Sequence, residues 1–174
     1  MADDQPDSNN SGHPQHTFRT RAQASHVDPK AKRFDIFLID THWNTPVSKA
    51  IRSHLRLLQE YQPQDSFYEL TREQSVEVLR HDPKMIGLDP TLVVYDIYAS
   101  TCGDSGNYRG FRLHLGLMKN GEQALARLHE FLRFLAEHRS ADRLDREVKR
   151  ELHREGIDGM IKILRETSLE MLGE

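Results

Sequence analysis

Trp43-Asn44-Thr45-Pro46-Val47 is the stretch that decides how this chain folds, because it joins a predicted strand to a predicted helix. The residues before it, Phe34 to Asp40, form a nearly continuous apolar run, which is typical of a strand buried on both faces. Thr45 suits the N-cap of a helix, and Pro46 takes the favoured first helical position. Apolar residues then recur at helical spacing, at Val47, Ile51, Leu55 and Leu58.

Composition places the chain among single-domain proteins with extensions. It has 174 residues, a net charge of −3 and a pI of about 6.4, so the whole chain is not drawn to nucleic acid or anionic membranes. Hydrophobic residues make up 37% and the mean hydropathy is −0.70, which predicts that part of the chain lies outside the core. Cys102 is the only cysteine and no apolar run approaches the ~20 residues of a spanning helix, so we expect a cytoplasmic protein.

Residues 1–33 are predicted to be a disordered N-terminal tail. They are rich in Asp, Ser, Asn, Gln, His and Pro, and Phe18 is their only aromatic residue. Such a segment cannot bury enough apolar surface to offset the entropy of ordering it. The irregular spacing of His13, His16 and His26, with no thiol or acidic partner positioned with them, favours a solvated tail over a metal site.

Periodicity and turn signals predict the elements up to residue 135. Thr71 and Gln74 make a capping box at the start of one helix, and Asn120-Gly121 marks a turn before the last. The first helix is followed by a strand at Ser66 to Leu70 and a second helix at Thr71 to Leu79. Two strands come next, at Leu92 to Ile97 and at Phe111 to Leu117, and then a long helix at Leu125 to Leu135. The order is β-α-β-α-β-β-α, an α/β fold with a central mixed sheet.

Residues 140–174 are predicted to form a C-terminal helical extension. One apolar stripe contains Leu144, Val148 and Leu152, and Gly156 supplies a break. The stripe of the second helix consists of Met160, Ile161, Leu164, Leu169 and Leu172. These stripes must pack either on the domain or in a homodimer, and the sequence leaves both open.

The opening pentapeptide resembles the Trp-Cys-Gly-Pro-Cys active site of thioredoxins, with Trp43 and Pro46 in register. Glu60-Tyr61 matches a Glu-Tyr pair at the same offset in that family. Asp89-Pro90-Thr91-Leu92 resembles the Ile-Pro-Thr-Leu segment whose proline is cis, and Gly87 fits the approach to it. The resemblance covers about residues 34–135. It implies a thioredoxin-like domain at 34–139 and a cis peptide bond between Asp89 and Pro90.

Three positions that carry redox chemistry in thioredoxins are changed. Asn44 and Val47 replace the two cysteines, and neither an amide nor an isopropyl group can act as a thiolate. Leu38 stands where the family has a buried aspartate that accepts a proton. We therefore expect no catalytic residue, no cofactor and no thiol–disulfide activity.

The resemblance implies that a binding groove remains, formed by Trp43, Asn44, Thr45, Asp89 and Pro90. In the family, the backbone beside the cis proline holds an extended peptide by strand-like hydrogen bonds, and Trp43 would offer an adjacent apolar surface. The N-terminus of the helix could favour an anion or a carbonyl, although capping by Thr45 or Asn44 is the simpler expectation. Core packing is the alternative role for Trp43, and the adjacent His42 is expected to be uninvolved.

The leading hypothesis is a non-catalytic protein-binding module, such as a folding or assembly chaperone, with a protein or peptide as its partner. Some cysteine-free thioredoxin-like proteins are chaperones for hydrogenase subunits, and Gly106-Asn107-Tyr108-Arg109-Gly110 resembles a short stretch in them.

Two alternatives stay open. One is a thiol enzyme in which Arg109 and Arg112 lower the pKa of Cys102, and the other is an oligomerisation protein organised by the C-terminal helices. No phosphate-binding glycine loop, zinc-spaced set or nucleophile elbow occurs in the sequence. Basic residues are interspersed with acidic ones, so nucleic acid is not expected as a partner.

Overall fold

A computed structural model describes residues 28, 30–61, 63–99, 108–141, 143–155 and 160–165. The greater part of the predicted tail (1–27 and 29), the loop that contains Cys102, and the apolar residues Leu169 and Leu172 lie outside the described residues.

The described strands form one five-stranded mixed sheet. The strands are β1 (Phe34–Ile39), β2 (Ser66–Glu69), β3 (Thr91–Asp96), β4 (Tyr108–His114) and β5 (Ile161–Arg165), in the spatial order β2-β1-β3-β4-β5. The pair β1–β2 is parallel and the other three neighbouring pairs are antiparallel. The predicted α/β class with a mixed sheet is therefore confirmed.

Two of the described α-helices begin directly after their predicted caps, Thr45 and Thr71, whereas the long helix predicted from Leu125 begins at Gly121, because Asn120 caps it instead of forming a turn. The described α-helices are α1 (Pro46–Ser53), α2 (Leu55–Tyr61), α3 (Arg72–His81), α4 (Gly121–Glu137) and α5 (Leu144–Glu155). The Thr71 hydroxyl accepts a hydrogen bond from the Gln74 backbone, and the Gln74 side chain accepts one from the Thr71 backbone, so the predicted capping box is present. The elements from β1 to α4 follow the predicted order, with the first helix divided into α1 and α2 at His54.

The sheet has a hydrophobic core on each face. Phe34, Ile36 and Leu38 of β1 lie in the larger core, with residues from α1, α4 and α5. Ile39, at the end of the same strand, lies in a smaller core with residues from α3. Strand β1 is thus buried on both faces, as its continuous apolar run predicts.

The prediction of a second C-terminal helix is wrong for residues 161–165, which form strand β5. This strand pairs with the outer edge of β4 and satisfies backbone groups there. Ile161 and Ile163 pack against the larger core, whereas Leu164 lies in the smaller one. The apolar residues fit either a helix or a strand by spacing alone, and the free edge of β4 decides between them.

Helix α5 packs on the domain itself. Leu144 and Val148 are 1% and 2% exposed within the larger core. Burial of this stripe on the domain, one of the two expected arrangements, is therefore confirmed for these two residues.

The predicted tail boundary at residue 33 is also wrong for Arg33, which is fully buried. Its guanidinium forms an ion pair with Asp96 at the end of β3, and Arg139, after α4, pairs with Asp65 before β2. Asp65 also accepts hydrogen bonds from the backbone of Arg33 and Phe34. This charge network holds the end of the sheet where β1 begins, because each buried charge has a partner of opposite sign.

Candidate functional site

The candidate site lies at the opposite end of the sheet, where β1 ends and β3 begins. The Asp89–Pro90 peptide bond is cis, as predicted. Asp89 is 6% exposed and Pro90 is buried, so both lie in the floor of the site. Among the described residues, neither the backbone N–H nor the carbonyl of Asp89 forms a hydrogen bond. Gly116 packs so closely on this carbonyl that a Cβ there would lie 2.2 Å from its oxygen.

Trp43 is held in place at the rim of the site. Its indole Nε1 donates to the Asp40 carbonyl at 2.7 Å, and its backbone N–H donates to Asp40 Oδ1 at 3.2 Å. The guanidinium carbon of Arg52 lies 3.7 Å from the ring centroid, which is a cation–π contact. Despite these contacts Trp43 is 37% exposed, so core packing does not account for the position of its side chain.

The backbone of Trp43 is strained, because its φ of 46° lies in the left-handed region. A residue with a side chain costs roughly 1–2 kcal/mol in this conformation. The contacts with Asp40 and Arg52 offset this cost and present the indole at the surface.

Asp40 organises the loop, and the sequence analysis missed it. The residue is 1% exposed, and its Oδ1 accepts hydrogen bonds from the backbone of His42 and the Ser48 hydroxyl, both at 3.1 Å, in addition to that of Trp43. Arg52 approaches its other oxygen at 3.6 Å and pairs with Glu69 at 2.6 Å. Asp40 lies two positions after Leu38, so it continues the same face of the strand. A carboxylate that directly follows an apolar run is the signal that could have identified it.

The Asp89 side chain is fully buried and joins the loop to the floor of the site. Its Oδ2 accepts hydrogen bonds from the Thr41 backbone at 3.0 Å, the Thr41 hydroxyl and His42 Nδ1 at 2.9 Å. Burial raises the pKa of this carboxyl, but the hydrogen bonds from Thr41 and His42 outweigh burial and hold the pKa below that of an ordinary aspartate. Asp89 is therefore ionised at neutral pH, and His42 belongs to the site although the sequence analysis expected it to be uninvolved.

The remaining predicted residues have different surroundings. The Thr45 hydroxyl accepts from the Ser48 backbone at 3.0 Å and caps α1, so this part of the helix N-terminus is already satisfied. Asn44 is exposed, and its N–H donates to the His42 carbonyl. Val47 is 6% exposed and packs in the larger core. Arg112, an alternative partner for Cys102, forms an ion pair with Asp82.

No family model matches the chain, and comparisons with curated proteins and with solved structures found no match. Among the described residues, no group of three or more His, Cys, Asp or Glu side chains is arranged to hold a metal ion. The described helices include none with the length and apolar character needed to cross a membrane.

Proposed function

We propose that this chain is a non-catalytic, thioredoxin-like protein-binding module, acting as a folding or assembly chaperone in the cytoplasm. Its groove between Trp43 and Pro90 binds an extended segment of a partner protein. The cis bond at Asp89, the element order from β1 to α4 and the motif residues support the thioredoxin-like assignment.

The observation that carries the proposal is the presentation of Trp43. The backbone conformation of Trp43 costs free energy, yet two hydrogen bonds and the contact with Arg52 keep its indole ring at the surface. Rigid, partly exposed aromatic residues are the typical anchors of protein interfaces, because they bury a large area with little loss of conformational entropy. The backbone N–H of Asp89, which forms no hydrogen bond among the described residues, adds a donor in the floor of the same site.

The residues at the former thiol positions support binding over catalysis. Asn44 and Val47 contain no sulfur, and Val47 is used in the core. A thiol–disulfide reaction at this site would need a nucleophile that neither residue supplies. An insulin-reduction assay with dithiothreitol should therefore give no activity above background. Activity that disappears in Cys102→Ser would favour the thiol enzyme instead.

The experiment that tests the proposal is an affinity pull-down from extract of the source cell, with Trp43→Ala beside the wild type. Ile97→Ala is a matched control, because Ile97 is an exposed apolar residue at the opposite end of the sheet. We expect a partner that the wild type and Ile97→Ala retain and that Trp43→Ala loses. Equal capture by all three proteins would contradict recognition at this groove.

A further inference from the structure

His42 is held through one ring nitrogen and is otherwise exposed. Its side chain is 61% exposed, and Nδ1 lies 2.9 Å from Asp89 Oδ2 and 3.0 Å from the Thr41 hydroxyl. The carboxylate can only accept, and Thr41 donates its single hydroxyl proton to Asp89. Nδ1 must therefore carry the hydrogen. In the uncharged imidazole, Nε2 is then an acceptor, and none of the described residues donates to it.

The charged side chains that hold the loop around Trp43 are more negative than positive. Asp40, Asp89 and Glu69 supply three carboxylates, and Asp40 and Glu69 share the guanidinium of Arg52 as their ion-pair partner. Asp89 Oδ1 is buried and accepts no hydrogen bond among the described residues, whereas Asp40 Oδ2 faces Arg52. The Asp89 carboxylate has no guanidinium or ammonium partner among the described residues, so its charge favours a nearby cation.

We infer that the groove selects extended protein segments that carry a lysine or arginine next to the residue that packs on Trp43. The His42 Nε2 lone pair accepts a hydrogen bond from the basic side chain, and the surrounding carboxylates favour its charge. His42 is the specificity-determining residue, and Asp89 is a positioning residue that orients the imidazole. This inference rests on the proposed function and names the chemistry of its partner.

A library of random linear peptides displayed on phage provides the probe. Selection on the full-length chain should enrich peptides with a basic residue at a constant distance from an apolar one. Synthetic peptides from this selection are then compared with versions in which the basic residue is methionine. Because a charge-assisted hydrogen bond is lost, the methionine versions should bind the wild type roughly tenfold more weakly.

Variants separate the inference from the proposed function. His42→Ala should lose most of the preference for the basic version, because only the attraction of the carboxylates remains, and Trp43→Ala should bind neither version. Ile97→Ala should match the wild type. Selected peptides without a basic residue, or a preference in His42→Ala as large as that of the wild type, would overturn the inference and leave the binding module intact. If no peptide binds the wild type better than Trp43→Ala, the proposed function fails and the inference fails with it.

Discussion

Replacing Asp96 with alanine should strongly destabilise the protein. The side chains of Arg33 and Asp96 are 1% and 0% exposed. Nε and Nη2 of Arg33 donate to the two carboxylate oxygens of Asp96 at 2.8–3.2 Å. Tyr108 donates its hydroxyl to the same carboxylate at 3.2 Å. Burial and the charge of Asp96 raise the pKa of Tyr108, so the phenol keeps the proton it donates.

The magnitude follows from the charge that the substitution leaves behind. In Asp96→Ala, the Arg33 guanidinium stays buried with the carbonyls of Arg139 and Ala141 as its acceptors and no counter-ion in direct contact. Removing one member of a buried ion pair costs about 3–5 kcal/mol. For a chain of this size each kcal/mol lowers the melting temperature by roughly 2–4 °C, so we expect a decrease of about 6–20 °C.

Urea unfolding followed by circular dichroism measures this loss. Arg80→Ala is the control, because it breaks an ion pair with Glu77 whose side chains are 72% and 55% exposed, and such pairs contribute about 1 kcal/mol or less. The double variant Arg33→Met/Asp96→Leu removes both charges and should recover part of the lost stability, because the Tyr108 hydroxyl and the Arg139 and Ala141 carbonyls still lose their partners. The reasoning would be refuted if Asp96→Ala cost no more than Arg80→Ala, or if the double variant were less stable than Asp96→Ala.

Three further predictions concern stability. Burial, with the charges of Lys162 and Arg112, lowers the pKa of His114 from 6.5 to about 4, so on acidification this histidine is protonated in the unfolded chain before it is protonated in the folded one. The free energy of unfolding should therefore fall by about 3 kcal/mol between pH ~7 and ~4, and urea unfolding of His114→Gln should show a weaker dependence on pH. Leu144→Ala should cost about 2–5 kcal/mol in urea unfolding, and an unchanged midpoint would mean that α5 does not pack on the domain. Gly116→Ala should cost about 1–3 kcal/mol and shift the amide resonances near Asp89, because its Cβ has no space beside that carbonyl; wild-type stability and spectra would contradict the close contact.

Much of the fold was predictable because its signals are local. The apolar run of β1, the Thr45 and Thr71 caps and the β-branched residues of β3 each depend on neighbours within a few positions. The cis bond before Pro90 came from the family pattern rather than from any local preference. At the site, sequence pointed to Trp43 and Asp89, but it could not predict their partners Arg52, His42 and Thr41.

By itself, the sequence determined which segments are apolar, that helices begin after Thr45 and Thr71, and that Asn44 and Val47 contain no sulfur, because these properties belong to residues or to short spacings. The tertiary structure alone decided that residues 161–165 form a strand, since pairing with β4 outweighs their helical spacing. It also decided that Arg33 is buried, because only the fold brings Asp96 to it. The same holds at the candidate site, where Asp89 meets His42 across 47 positions of the chain. Charged residues are expected at the surface unless they are paired, and the pairing is long-range information that appears when the sheet assembles.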